Sequence, residues 1–131
     1  MDIVLFDDQV LILEALKRSF QMLLHHDSMI TSFTQSKPLF THLETYVSNV
    51  IVLDLITNDD LGFAVIEKTI SMYPHATIVV YSNVSMAFII EMVKSIGIDL
   101  YIHKSTPALQ TAELIIQAAN TKYPSPAGAS L

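Results

Sequence analysis

The chain has 131 residues, of which 51% are apolar, and a formal net charge of -6 at pH 7. This length and composition fit one compact domain with a full hydrophobic core. Because only seven residues are Lys or Arg and none is Cys, the composition argues against a nucleic-acid-binding surface and excludes disulfides and thiolate metal sites.

The first third of the chain predicts two strand–helix units. The apolar run Ile3–Phe6 is short and does not alternate with polar residues, as in a strand buried on both faces of a parallel sheet. A helix follows, with an apolar stripe formed by Ile12, Leu16, Phe20 and Leu23. The next segment has a weaker pattern, from which we expect an edge strand at Met29–Phe33 and a helix at Lys37–Tyr46.

The rest of the chain repeats the same alternation of strand and helix. The remaining predicted strands are Val50–Leu53, Ile78–Tyr81 and Leu100–Ile102. One helix ends before Pro74, the next ends at Gly97, and the last is predicted to begin with Thr106 as N-cap and Pro107 in the first helical position. About five such repeats predict an α/β fold with right-handed crossovers and an open, doubly wound sheet.

The two ends of the chain have different characters. The N-terminus lacks the basic start of a secretory signal, and no apolar run approaches the roughly 18 residues of a membrane span. We therefore expect a cytoplasmic protein without a membrane segment. Residues 121–131 are dominated by Pro, Ser, Ala and Gly, as in a linker or a frayed end. The predicted division is a folded domain over residues 1–120 and a C-terminal linker or tail over residues 121–131.

Polar side chains follow four of the predicted strands, at the point where each strand ends. They are Asp7 and Asp8 after the first strand, Asp54 after the third, Ser82 after the fourth and His103–Lys104 after the fifth. Open α/β sheets bind ligands beyond the C-terminal ends of their strands, so we expect these groups to converge in one cleft. Each residue alone has an ordinary alternative role as a helix cap, a turn residue or a solvated charge. The joint pattern is what indicates a site.

This set of groups has the composition of a magnesium and phosphoryl site. Three carboxylates repel one another unless a proton or a cation relieves them, and oxygen ligands in a small site suit Mg²⁺. An ammonium and a hydroxyl beside a metal-bound carboxylate can hold a phosphoryl group, and carboxylates can act as nucleophiles towards phosphorus. We therefore expect Asp54 to become an aspartyl phosphate.

The segments "FDDQ", "VLDL", "VVYS" and "YIHKS", in this order, resemble the motifs of receiver domains of bacterial two-component response regulators. The resemblance covers Met1 to about Asn120, and Gly62 matches the glycine that opens the third helix in that family. It implies a flavodoxin-like fold, with a five-stranded parallel sheet in the order 2-1-3-4-5 and helices on both faces.

The resemblance also implies a role for each acidic residue. Asp54 would accept a phosphoryl group from a phosphohistidine on a sensor histidine kinase. Asp8 and Asp54 would ligate Mg²⁺, and Asp7 would do so mainly through water. The backbone carbonyl of Ile56 would be a further ligand.

The remaining matched residues would contact the phosphate and change position with it. Lys104 would contact the phosphate, Ser82 would shift to donate a hydrogen bond to it, and Tyr101 would then rotate inward. Tyr101 has an equally simple alternative as a half-buried strand residue. Such a protein is a signalling switch with self-catalysed phosphotransfer and autodephosphorylation, and is not a turnover enzyme.

The sequence departs from the family pattern at three places. Asn58 stands where Pro is usual, Asn83 where a small residue is common after the hydroxyl, and Ser105 where Pro commonly follows the lysine. The last two departures resemble the branch whose receivers carry a LuxR-type helix-turn-helix domain, and "KYPSPAGASL" resembles that branch's linker. DNA contact and transcription regulation would then depend on a C-terminal domain that these 131 residues do not contain. The alternative is a receiver that works alone.

The predicted helix Ser85–Ile96 carries more apolar residues than one buried stripe requires. The residues predicted to face the sheet are Ile89, Val93 and Ile96. Phe88 and Ile90 then project to either side, and we expect one of them to be exposed. An exposed apolar patch usually marks an interaction surface, although neighbouring helices or the tail could cover it. The resemblance implies a homodimer through the fourth helix, fifth strand and fifth helix.

Three other functions compete with a phosphorylatable receiver. A phosphohydrolase with an Asp nucleophile typically places a second Asp two residues later, where this chain has Ile56. A phosphorylation-independent interaction module, or pseudo-receiver, stays open because of Asn58 and Asn83. A flavin-binding domain fits poorly, because no Ser/Thr/Gly-rich phosphate loop follows the first strand.

Overall fold

The computed structural model describes residues 1–57 and 60–123. Its strands are β1 (Asp2–Phe6), β2 (Met29–Phe33), β3 (Val50–Leu53), β4 (Ile56–Thr57), β5 (Asp60–Leu61), β6 (Thr77–Ser82) and β7 (Leu100–His103). Its helices are α1 (Val10–Leu23), α2 (Ser36–Thr45), α3 (Phe63–Met72), α4 (Ala87–Ile96) and α5 (Ala108–Lys122). Strand and helix alternate along the chain, which confirms the predicted α/β class.

Five of the strands form one parallel sheet in the order β2-β1-β3-β6-β7. The predicted order 2-1-3-4-5 needs correction, because the sequence analysis did not foresee the short antiparallel pair β4–β5 that comes after β3. Two-residue strands are too short to give a periodic signal, so only the folded chain reveals them. The extra pair shifts the numbers of the last two sheet strands to β6 and β7.

Each sheet face buries its own apolar cluster, because alternate residues of a strand point to opposite faces. In β1, Ile3 and Leu5 pack on the side covered by α1 and α5, whereas Val4 and Phe6 pack on the side covered by α2, α3 and α4. All four side chains are at most 3% exposed. Helices therefore lie on both faces of the sheet, as predicted.

The buried stripe of α1 differs in part from the predicted one. Leu16 and Phe20 are buried as expected, but Leu13 is buried as well and Leu23 is 41% exposed. Leu23 is the last helical residue and lies beyond the edge of the apolar cluster. None of the helices in the described part of the chain has the length and apolar character needed to cross a membrane.

The ends of the later helices match the sequence signals unevenly. Gly97 adopts the predicted left-handed conformation after α4, with φ of 113°. The start predicted for α5 is wrong by one residue, because Pro107 occupies the cap position and the helix begins at Ala108. The Thr106 side chain makes no capping bond, and its carbonyl instead accepts a hydrogen bond from the Thr111 hydroxyl. The other end of α5, Lys122, lies two residues past the predicted domain boundary, and residues 124–131 lie outside the described part.

The exposed apolar residues of α4 agree with the sequence prediction. Val93 is fully buried, and Ile89 packs against the same cluster. Phe88 is 69% exposed, whereas Ile90 is only half-buried. Met86 and Met92 add further exposed apolar surface beside Phe88.

We predict that Gly62→Ala destabilises the fold, because the added Cβ would lie 2.9 Å from the backbone oxygen of Leu55. Relief of that overlap requires the backbone next to Asp54 to move, so the free energy of unfolding should fall by about 1–3 kcal/mol. Urea denaturation followed by circular dichroism measures this change. Ser71→Ala, at an exposed position of α3, is the control and should stay within about 0.5 kcal/mol of wild type. An equal effect of both substitutions would contradict the steric explanation.

Candidate functional site

The ends of four sheet strands bring the predicted polar residues to one edge of the sheet. Backbone hydrogen bonds continue past the strand ends, from Asp7 N to the Phe33 carbonyl at 3.1 Å and from Asp54 N to the Phe6 carbonyl at 2.9 Å. The Lys104 amide likewise donates to the Ser82 carbonyl at 2.8 Å. The backbones that carry the acids and the lysine are therefore fixed by the sheet itself.

The Lys104 ammonium lies between two carboxylates from different strand ends. Its Nζ is 2.8 Å from Asp7 Oδ2 and 3.1 Å from Asp54 Oδ2. All three side chains are at most 5% exposed. Such a buried cluster holds its geometry only while every charge keeps its partner.

Three carboxylates meet beside this ammonium. Each of Asp7, Asp8 and Asp54 has an oxygen within 4.8 Å of the other two, and Asp8 is the exposed member of the group. With all three ionised, their charge of -3 and the +1 of Lys104 leave an excess of -2. Oxygen ligands with that excess charge fit a hard divalent cation such as Mg²⁺.

The electrostatics of Asp54 reflect this excess of negative charge. Burial, followed by repulsion from Asp7, raises the pKa of Asp54 from 3.8 to about 6, although Lys104 acts in the opposite direction. Burial opposes the charge of Lys104 as well, but its hydrogen bonds and attraction to Asp7 and Asp54 outweigh burial and raise its pKa. Lys104 therefore stays protonated, whereas the ionised form of Asp54 costs free energy in the folded protein.

A cleft of about 220 Å³ opens at this edge of the sheet. Its lining residues are Asp8, Gln9, Asp54, Ile56, Ser82, Asn83 and Lys104. A larger cleft of about 600 Å³ lies at the opposite end of the strands and is lined mainly by apolar groups, including Met1 and Tyr123. We identify the smaller cleft as the candidate site, because the carboxylates and the ammonium converge there.

The structure places Ile56 and Ser82 in this cleft, as the sequence predicts. The amide of Ile56 donates a hydrogen bond to Asp54 Oδ1 at 3.3 Å, which orients the carboxylate. Ser82 is fully buried, and its Oγ accepts a hydrogen bond from Val84 N at 3.3 Å. Both residues therefore lie beside Asp54 on well-defined backbone.

Tyr101 and His103 hold the loop after Ser82. The Tyr101 hydroxyl donates to the Val84 carbonyl, and His103 Nε2 lies 3.0 Å from the carbonyl oxygen of Asn83. Burial raises the pKa of Tyr101, a hydrogen bond with Ser82 opposes that rise, and the charge of Asp54 adds to it. The other ring nitrogen of His103, Nδ1, lies 2.8 Å from the Ser105 hydroxyl.

Two of the three departures from the family pattern lie in the described part of the chain. Asn83 lines the cleft beside Ser82. Ser105 is joined to Lys104 through a trans peptide bond, and its hydroxyl lies 2.8 Å from His103 Nδ1. Asn58 lies outside the described residues.

Gln9 is a site residue that the sequence analysis missed. Its side-chain carboxamide oxygen accepts a hydrogen bond from Lys104 Nζ at 3.1 Å. Its backbone N–H donates a hydrogen bond to Asp7 Oδ1 at 2.9 Å. The available signal was its position directly after the acid pair, where the chain turns into α1. A neutral polar residue at a helix start has many ordinary roles, so the sequence alone did not distinguish it.

We predict that Asp54→Asn stabilises the metal-free protein at pH 7.5. Between pH 3.8 and about 6 the folded state binds more protons at Asp54 than the unfolded state does, so stability falls as pH rises through this range. The uncharged Asn side chain avoids that loss of stability. The free energy of unfolding of Asp54→Asn should therefore exceed that of wild type by about 1–3 kcal/mol above pH 7 and by almost nothing below pH 4. Urea unfolding in EDTA at several pH values measures the difference. Asp2→Asn, an exposed change on the same sheet, is the control and should show no such pH dependence. A difference between Asp54→Asn and wild type that is the same at every pH would contradict the prediction.

The sequence matches no family model and no curated protein. Solved structures do match it. The Salmonella typhimurium response regulator RcsB superposes with a TM-score of 0.81 at 18% identity, over 97% of this chain and 63% of that one. This chain therefore spans less than two thirds of that RcsB chain.

Two further matches cover nearly the whole of both chains. The BeF₃-activated receiver domain of DrrB from Thermotoga maritima has a TM-score of 0.78 at 17% identity, over 89% of this chain and 95% of that one. A LuxR-family DNA-binding response regulator from Staphylococcus aureus has a TM-score of 0.76 at 18% identity, over 91% and 98%. These matches confirm the resemblance at the level of structure: the chain has the fold of response-regulator receiver domains.

Proposed function

We propose that this chain is a phosphorylatable receiver that accepts a phosphoryl group on Asp54 from a sensor histidine kinase. The observation that carries this proposal is the buried Lys104 ammonium held between Asp7 and Asp54. A cation in that position balances charge as a phosphoryl group arrives at the Asp54 oxygen. We propose that the phosphorylated chain acts as a signalling switch. We also propose that the chain lies in the cytoplasm with its kinase.

The donor set fits Mg²⁺, which would be held by Asp8 and Asp54, by Asp7 mainly through water, and by the carbonyl of Ile56. The excess charge of -2 and the raised pKa of Asp54 both favour a divalent cation over an empty acidic cleft. When bound, Mg²⁺ would neutralise charge on the phosphoryl oxygens and the carboxylates. The hard oxygen ligands and the small cleft suit Mg²⁺ better than a soft metal.

The chain's own residues supply the rest of the chemistry. An Asp54 carboxylate oxygen forms a bond to phosphorus while the bond from phosphorus to the imidazole nitrogen of the donor breaks, and that nitrogen keeps the electron pair. Lys104 stays charged throughout, because its pKa is raised. The Ile56 amide keeps Asp54 oriented through its hydrogen bond to Oδ1. Hydrolysis of the aspartyl phosphate by water returns the chain to its starting state.

Ser82 and Tyr101 are the proposed switch residues. Ser82 lines the cleft, and the loop after it is held by Tyr101 through the Val84 carbonyl. A hydrogen bond from Ser82 to a phosphoryl oxygen would move that loop and release Tyr101. The loop after Ser82 leads into α4, and β7, which carries Tyr101, contacts that helix. This motion would therefore reach the exposed Phe88 on the proposed homodimer face of α4, β7 and α5.

The output of the switch would lie outside these 131 residues. RcsB extends well beyond the part that this chain matches, and the Staphylococcus aureus neighbour is described as a DNA-binding regulator. We propose transcription regulation through a separate C-terminal helix-turn-helix domain, with residues 121–131 leading towards it. The 131 residues together carry a formal net charge of -6, which does not favour direct contact with DNA.

A phosphorylation-independent interaction module is the competing function. Asn83 favours it, because its side chain stands at the cleft where the family commonly has a small residue. The paired Lys104 ammonium favours the phosphorylatable receiver, since a module without chemistry does not need a buried cation between two acids.

We predict that incubation with Mg²⁺ and acetyl phosphate adds one phosphoryl group to the wild-type chain and none to Asp54→Asn. The expected result rests on the convergence of Asp54 with Lys104 in a cleft open to a small donor. Intact-protein mass spectrometry measures the gain, and EDTA should abolish it.

Asp2→Asn is the matched control, because it removes an exposed acid at the other end of β1. It should gain the phosphoryl group as wild type does. No gain from acetyl phosphate or from a histidine kinase would leave the interaction module as the better function. A gain that survives Asp54→Asn would show that another residue is the acceptor.

We also predict that Mg²⁺ stabilises the wild-type chain above pH 7 and much less at pH 5. Near pH 5 a proton occupies Asp54 and competes with the cation. At a free Mg²⁺ concentration about ten times its Kd, the thermal midpoint should rise by about 3–6 °C at pH 7.5. Differential scanning fluorimetry at constant ionic strength measures the shift, with Na⁺ as the control ion. A shift that is the same size in Asp8→Asn or Asp54→Asn would contradict a site formed by these carboxylates.

A further inference from the structure

The Lys104 ammonium has no free donor in the structure. A protonated lysine carries three N–H groups. Three oxygens accept from it: Asp7 Oδ2 at 2.8 Å, Asp54 Oδ2 at 3.1 Å and Gln9 Oε1 at 3.1 Å. A phosphoryl oxygen that binds Lys104 must therefore displace one of these three acceptors.

Gln9 is the acceptor that is lost most easily. It is neutral, whereas hydrogen bonds from an ammonium to the charged Asp7 and Asp54 are the stronger ones. Its side chain is exposed at the mouth of the cleft, whereas both carboxylates are buried. A displaced Gln9 carboxamide can bond to water at once, but a displaced buried carboxylate cannot.

The position of Gln9 at the start of α1 gives a second, independent reason to assign it a role at the cleft. Gln9 occupies the N-cap position, where Ser, Thr, Asp or Asn would stabilise the helix. Its side chain makes no capping hydrogen bond and reaches Lys104 instead. The residue at this position therefore serves the ammonium rather than the helix.

We propose that Gln9 is a positioning residue that occupies the third donor of Lys104 until a phosphoryl oxygen replaces its carboxamide. This proposal rests on the proposed function of Asp54 as phosphoacceptor. The contact keeps the ammonium fully bonded in the unphosphorylated state, so it lowers the affinity of the cleft for a phosphoryl group. Gln9 thus sets the position of the equilibrium without touching phosphorus.

The test is a titration with beryllium fluoride in the presence of Mg²⁺, since this complex can stand in for a phosphoryl group on a carboxylate. Gln9→Met keeps the size of the side chain and removes the oxygen. Gln9→Asn shortens the side chain away from Lys104 and adds a good N-cap. Gln21→Met, at an exposed position of the same helix, is the matched control.

Both Gln9 variants should bind beryllium fluoride about 2- to 10-fold more tightly than wild type, as the loss of one competing neutral hydrogen bond implies. Calorimetry measures the affinity. Only Gln9→Asn should also raise the thermal midpoint of the ligand-free protein, because only Asn adds an N-cap. If both variants gain affinity, the gain comes from the lost contact with Lys104 and not from helix stability. Gln21→Met should bind as wild type does.

The outcomes separate the two proposals. Binding to wild type with equal or weaker binding to both Gln9 variants would overturn the role of Gln9 and leave the proposed function intact. No binding to wild type or to any variant would overturn the phosphoacceptor site and the role of Gln9 together.

Discussion

The ion-pair cluster around Lys104 is the constraint on which the functional edge of this structure depends. A buried ammonium is costly unless hydrogen-bonded acids compensate it. Here the compensating carboxylates come from the ends of β1 and β3, while the lysine comes directly after β7. Three strands must therefore keep their register for one cation to be satisfied. The parallel sheet provides that register, because its hydrogen bonds continue past the strand ends into Asp7, Asp54 and Lys104.

The same cluster is not optimised for stability. Its excess negative charge and the raised pKa of Asp54 indicate that the folded chain holds a carboxylate where a neutral group would cost less. Folded proteins accept such local costs mainly at functional sites, where a ligand later compensates them. A divalent cation has the charge that would compensate this excess. The stability of the metal-free protein and the proposed reactivity of Asp54 would thus be two consequences of one arrangement.

The loop after β6 lies between the cleft and the start of α4. Its two consecutive carbonyls, of Asn83 and Val84, are bound by His103 and Tyr101 from β7. Ser82 precedes these carbonyls and lines the cleft. Val84 also donates its backbone N–H to Ser82 Oγ, so the proposed movement of Ser82 would act directly on this loop. In the proposed switch, the route from the acids to α4 would therefore pass through a few hydrogen bonds.

The sequence by itself determined the alternation of strands and helices, because buried parallel strands and amphipathic helices have distinct apolar patterns. It also determined which strand-end residues meet at the cleft, because chain order fixes the residue that comes directly after each strand. Only the tertiary structure decided the β4–β5 pair, the start of α5 at Ala108 and the contact of Gln9 with Lys104. The first two features are local but too short to give a periodic signal, and the third joins residues that are distant in sequence. Periodicity carries no record of such geometry, since one hydrogen bond leaves no pattern in the chain.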